Sequence, residues 1–171
     1  MTKAELLTFL ASVRSHYATY HNHKETAAWL AVVLFTAIAL QLGAAMPQVA
    51  PQSVRLTITL FVVGLVLISC LYVFMEARAG RRASEYVSGC LLLESRILAV
   101  SDKDFDPAAY SMEEGSDTRM QSERVLPRFI REAADYVATS VRGRVGITLH
   151  YARYLLLALV AALSLFRAWA V

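Results

Sequence analysis

Arginine is the residue type in this chain that is best suited to chemistry. Of the 17 basic side chains, 14 are arginine and 3 are lysine. The guanidinium fork matches a phosphate with two parallel hydrogen bonds and stays charged at physiological pH. Arg128 lies four residues before Glu132. Arg131 lies four residues before Asp135. Because side chains four apart meet on a helix, we expect both arginines to form solvated pairs that bind no ligand.

A second set of arginines mostly lacks an acid one turn away on its own helix, although Glu85 can offset Arg81 or Arg82. Repeated around a symmetry axis, these side chains would form a positive ring, which favours an oligonucleotide or nucleotide as ligand. Contact with anionic lipid head groups is the alternative, at about 1 kcal/mol for each basic residue near the surface. The candidate anion-binding residues are Arg78, Arg82, Arg124, Arg142, Arg144 and Arg153.

Catalytic and metal chemistry find little support in the sequence. The two histidines of His21-Asn22-His23 point apart on a helix, which is unsuitable for a shared metal ion. Cys70 and Cys90 suit small buried packing positions. There is no glycine-rich phosphate loop, HExxH pattern or nucleophile elbow. We therefore expect no catalytic residue, no metal, no cofactor and no enzymatic activity.

Two apolar runs must position these arginines. Residues 27–46 and 56–75 are each 20 residues long without a charge, which is the length that crosses a hydrocarbon core of about 30 Å. Residues 147–171 form a third, less regular run that Arg153 and Arg167 interrupt. Both arginines can extend towards an interface, so we predict a third span. Gln41, Thr57 and Ser164 are the polar residues that we select as pore-lining candidates.

The remaining segments complete an expected all-α membrane protein with three spans and a small helical head. Residues 1–25 form an amphipathic helix that lies on the membrane or packs on the head, and residues 26–75 form the hairpin. Residues 76–146 form the head, with an acidic loop over 101–117. Basic residues flank the open end of the hairpin, opposite its loop. We therefore expect the N-terminus on the cytoplasmic side of a bacterial inner membrane.

The N-terminal helix with its run Tyr20-His21-Asn22-His23-Lys24-Glu25, the two-span hairpin and the charged helical head resemble the SLATT-type effectors of bacterial anti-phage defence. Among these, the layout is most similar to the membrane subunit of the Hailong system. That resemblance implies a tetrameric channel that is held shut by single-stranded DNA made by a nucleotidyltransferase partner.

These observations lead to one expected function and two alternatives. Three spans cannot enclose a water-filled path alone, so a pore requires a homo-oligomer. We expect an ion channel that depolarises the cell and is gated by an anionic cytoplasmic ligand. A phage-type holin is one alternative, although it needs no charged head. A non-conducting membrane scaffold is the other.

Overall fold

The computed structural model describes residues 1–45, 51–110, 126–140 and 145–169. The described part of the chain is all-α, with 91% of its residues in helices and no strand. This confirms the all-α part of the predicted fold class. The helices are α1 (Lys3–Ala45), α2 (Gln52–Ala99), α3 (Arg128–Ser140) and α4 (Val145–Trp169), with a 3₁₀ turn at Pro107–Tyr110.

The two long helices are continuous where the sequence predicted separate segments. Helix α1 passes through the expected boundary at residues 25 and 26, and α2 passes through that at 75 and 76. Neither helix contains a proline, so nothing in the backbone interrupts its hydrogen bonds. The change from a charged to an apolar composition was mistaken for a change of element.

Helix α1 begins with a reciprocal cap. Thr2 N donates to Glu5 Oε2 at 2.7 Å, and Glu5 N donates to Thr2 Oγ1 at 3.3 Å. This capping box satisfies two backbone groups that the helix itself leaves without a partner. The hydrogen bond from the Thr2 backbone lowers the pKa of the Glu5 carboxyl.

The chain divides into two compact units. The polar unit comprises Met1–Asn22 and Gly80–Arg142. Its core joins α1 with α2 and α3, so the N-terminal helix packs on the head, which was one of the two predicted alternatives. The largest buried side chains of this core are Leu6, Leu10, Tyr86, Ile97 and Ile130. Residues 111–125, which include part of the predicted acidic loop, lie outside the described residues.

Two contacts fix the helices of the polar unit. Lys3 Nζ donates to the Val100 carbonyl at 2.7 Å, just beyond the C-terminus of α2, and to Asp102 Oδ1 at 2.9 Å. Gly89 of α2 faces α3 so closely that an added Cβ would lie 2.8 Å from the backbone nitrogen of Ala134. Because only glycine fits there, α3 packs directly on the backbone of α2.

The apolar unit comprises His23–Ala79 and Gly143–Val171. Its core combines residues of α1, α2 and α4, namely Val32, Phe35, Ala39, Val73, Leu157 and Val160. By length and composition, Lys3–Leu42 and Gln52–Ala99 are apolar enough to cross a membrane. Only 22% and 17% of their most apolar windows are buried, whereas a core helix of a soluble protein is mostly buried.

Helix α4 runs parallel to α1 within the apolar unit. Arg153 of α4 contacts Glu25 of α1. Eleven residues later in α4, the Ser164 hydroxyl lies 3.4 Å from the carbonyl of Ala39, which is fourteen residues after Glu25 in α1. Near its end, Trp169 Nε1 donates to Thr59 Oγ1 of α2 at 3.1 Å. Helix α4 therefore has side-chain contacts to both helices of the hairpin.

Candidate functional site

Four charged side chains from three helices meet where the apolar segments begin and end. We call them the charge cluster, and they are Lys24 and Glu25 of α1, Glu76 of α2 and Arg153 of α4. Lys24 Nζ lies 3.2 Å from Oε1 and 3.0 Å from Oε2 of Glu76. Both side chains are mostly buried, with 20% and 13% of their surface exposed. The pair therefore joins α1 to α2 in a partly desolvated environment.

The second pair joins α4 to α1. Arg153 Nη2 donates to Glu25 Oε2. The guanidinium carbon also lies 5.0 Å from the ring centroid of Trp29, one helical turn after Glu25. Arg153 is only 3% exposed, and its Nε has no hydrogen-bond partner in the described part of the chain. The Glu25 side chain is 37% exposed, so solvent partly screens the pair, and loss of one partner costs less than the 3–5 kcal/mol that is roughly typical of a fully buried pair.

The charge cluster holds helices together by ion pairs, and we assign no reacting group to it. Adjacent residues of α1 bind different helices, since Lys24 bonds α2 and Glu25 bonds α4. Glu25, Glu76 and Lys24 were not among the predicted site residues. Their positions carried a signal, since Glu25 lies two residues before the first apolar run and Glu76 immediately follows the second. In a hairpin those two positions lie at the same end.

Two of the predicted anion-binding arginines have acidic partners that intrahelical spacing did not show. Arg153 bonds Glu25 on α1. Arg82 bonds Glu85 at 3.0 Å on its own helix and Asp135 of α3 at 2.9 Å. Arg82 Cζ also lies 4.8 Å from the ring centroid of Tyr86. The Arg82–Glu85 pair agrees with the expectation that Glu85 can offset Arg82. The partners on other helices were not anticipated, because the expectation considered only acids on the same helix.

The other predicted anion-binding residues differ in what the structure describes. Arg78 is exposed on α2, and no acid within 4.0 Å is seen among the described residues. Arg124, Arg142 and Arg144 lie outside the described residues. The role of these four arginines as anion ligands therefore stays a prediction.

Of the two predicted intrahelical pairs in α3, one forms and one does not. Arg128 Nε donates to Glu132 Oε1 at 2.6 Å, and both side chains are exposed, so that prediction is confirmed. The predicted pair between Arg131 and Asp135 is wrong. Asp135 bonds Arg82 instead, and Arg131 is 93% buried. Asp135 pairs with Arg82 of α2 rather than with Arg131 because α2 lies directly against this part of α3.

The three pore-lining candidates have different surroundings in the apolar unit. Gln41 is exposed. Thr57 Oγ1 donates to the Ser53 carbonyl at 2.9 Å, one turn back in α2. Ser164 is buried and donates to the Val160 carbonyl at 2.8 Å. Ser164 therefore contributes to packing between α4 and α1 within one chain.

The histidines and cysteines occupy structural positions. His21 Nδ1 lies 2.8 Å from the Gly80 carbonyl, which ties α1 to α2 in the polar unit. Cys90 is fully buried in the core of that unit, and burial raises the pKa of its thiol to about 11. Among the described residues, no group of three His, Cys, Asp or Glu side chains is placed to hold a metal ion.

Comparisons with known proteins found no matching family model, no matching curated protein and no matching solved structure.

Proposed function

We propose that this chain is the subunit of a homo-oligomeric ion channel, with three spans per chain and an anionic ligand that controls opening. The N-terminus and the polar unit lie on the cytoplasmic side of a bacterial inner membrane. The channel depolarises the cell, as the resemblance to anti-phage defence effectors implies, and a tetramer is the expected assembly.

The ion pair between the buried Arg153 and the partly exposed Glu25 is the observation that carries this proposal. Ionisable residues inside a membrane are rare and mark functional pathways, because each is costly unless it is paired. Here the pair attaches α4 to α1, and α4 follows α1 along the apolar unit. A scaffold would be more simply held by apolar packing, whereas a polar attachment can be released. We therefore assign the pair to holding α4 in the closed arrangement.

The test is electrical recording of the purified protein in planar bilayers. The wild-type chain should run as a small multiple of 18.9 kDa in mild detergent and should conduct. Arg153→Met should raise the open probability, because α4 loses its polar attachment to α1. Exchange of the charges, Glu25→Arg with Arg153→Glu, should return the open probability towards the wild-type value.

A matched control and a ligand test complete the experiment. Arg167→Met, which changes an exposed arginine at the other end of α4, should leave the open probability unchanged. Short single-stranded DNA added on the side of the polar unit should alter the open probability, and the effect should weaken as salt rises. A monomer without conductance would overturn the channel in favour of a scaffold. Conductance that no polyanion alters would overturn the ligand control and favour a holin.

A further inference from the structure

Arg131 is the one described arginine of the polar unit that is both buried and without an acidic partner in the described residues. Only 7% of its surface is exposed, and its Nε has no hydrogen-bond partner. The acid expected to meet it, Asp135, bonds Arg82. A buried N–H group without an acceptor costs about 1–3 kcal/mol, so the Nε of Arg131 is destabilising as it stands. An anionic ligand that accepts from this guanidinium would offset the cost.

Arg131 lies in the first turn of α3, and that turn has the wrong charge for an ordinary helix start. The N-terminus of a helix carries partial positive charge and backbone N–H groups that need acceptors. Within the described part of α3, the N–H groups of Ile130 and Arg131 already donate to the Pro127 carbonyl at 3.2 and 3.4 Å, which leaves the first two N–H groups of the turn for a ligand. The residue before Arg128 is Pro127, whose side chain offers no acceptor, and no acid lies in the first turn. Side chains of a helix tilt towards its N-terminus, so the Arg131 stem leads back to this end. The positive charge of the guanidinium and the partial positive charge of the helix N-terminus therefore reinforce each other at this end of α3.

We propose that the first turn of α3 and Arg131 bind a phosphate group of an anionic ligand. The site deepens the proposed function, on which its regulatory role rests, by naming where the controlling anion binds. Helix N-termini bind phosphate through backbone N–H groups, and a guanidinium adds two charge-assisted hydrogen bonds. The turn contributes only backbone N–H groups, and the Arg128 side chain is not part of the site, because it is exposed and bonds Glu132.

The test measures phosphate binding to the full chain in detergent by its effect on the thermal midpoint. Inorganic phosphate should raise the midpoint of the wild-type protein above that in sodium chloride of equal ionic strength. Arg131→Met, which keeps the length and removes the charge, should weaken phosphate binding about tenfold or more. Arg128→Met is the matched control from the same turn and should bind phosphate as the wild type does.

Two further measurements keep the result decisive. If Arg131→Met does not fold, Arg131→Lys should fold and bind phosphate more weakly, because a lysine cannot make the two-pronged contact. Competition by short single-stranded DNA in detergent would identify a nucleic acid as the source of the phosphate. A higher thermal midpoint in phosphatidylglycerol nanodiscs than in phosphatidylcholine nanodiscs would identify a lipid head group as the source.

The site fails separately from the channel. Equal phosphate binding by the wild type and Arg131→Met, equal loss in Arg128→Met, or no phosphate binding by the wild type would overturn the site. In each of these cases, conductance of the wild-type protein would still support the channel. Phosphate binding that depends on Arg131 in a protein without conductance would keep the site and overturn the channel.

Discussion

Replacing Gly89 by alanine should separate α3 from α2 and destabilise the polar unit. The added Cβ would lie 2.8 Å from Ala134 N, 3.0 Å from Ala134 Cα and 3.1 Å from the carbonyl carbon of Ala133. All three are backbone atoms, so no side chain can rotate away and one helix must shift. Overpacking of this kind costs about 1–3 kcal/mol. Because all three contacts are to backbone atoms, the cost lies in the upper half of that range, at about 2–3 kcal/mol. Alanine regains about 0.5–1 kcal/mol of helix propensity, which leaves a net loss of about 1–2.5 kcal/mol.

The assay is the thermal midpoint of the detergent-solubilised protein, together with hydrogen exchange of the α3 amides. A loss of this size should lower the midpoint by roughly 2–10 °C and reduce protection in α3. Gly64→Ala is the matched control on the same helix, because nothing lies within 4 Å of its added Cβ. Gly64→Ala should leave the midpoint unchanged or raise it. Equal midpoints and equal α3 protection in Gly89→Ala and wild type would refute the close packing of α3 on α2.

Two further predictions concern the membrane topology and the buried thiol. Reporter fusions at Gln52 and Val171 should report the outside of the cell and one at Gly115 the inside, and a cytoplasmic signal at Gln52 would reverse the proposed orientation. The Cys90 thiol has a pKa of about 11 when folded against an ordinary value of 9.0, so the unfolded chain loses this proton first as pH rises. Its contribution to stability should be complete below pH 9 and lost on the way to about pH 11. The midpoint of wild type should therefore fall more steeply in that interval than that of Cys90→Ala, and parallel curves would contradict the prediction.

The sequence predicted what depends on composition along one helix. Residues 27–45 of the first apolar run lie within α1, residues 56–75 lie within α2, and the third run lies largely within α4. Length and charge are local properties, so these elements could be found without tertiary information. Helix α1 continues across residues 25 and 26, where the predicted N-terminal segment meets the predicted hairpin. Hydropathy changes there, but the backbone has no proline or capping residue that would end a helix.

The candidate site depended on contacts that spacing cannot show. The pair between Arg128 and Glu132 was predictable, because both side chains are exposed and only the helix determines whether they meet. Arg153 and Glu25 are separated by 128 positions, and their contact required α4 to pack beside α1. Gly89 gave a partial signal, since a glycine inside a helix costs stability and therefore often marks a close approach.

Interhelical pairing changes which positive charges remain for a ligand. Arg14 and Lys24 bond the acids Glu94 and Glu76 of α2, and Arg82 bonds Asp135 of α3. Of the six arginines that were predicted to form a positive ring, Arg82 and Arg153 are thus already paired with acids within one chain. The use of Asp135 by Arg82 also removes the partner that Arg131 was expected to have. The same contact that weakens Arg82 as an anion ligand therefore strengthens the case for Arg131, at a position that intrahelical spacing had excluded.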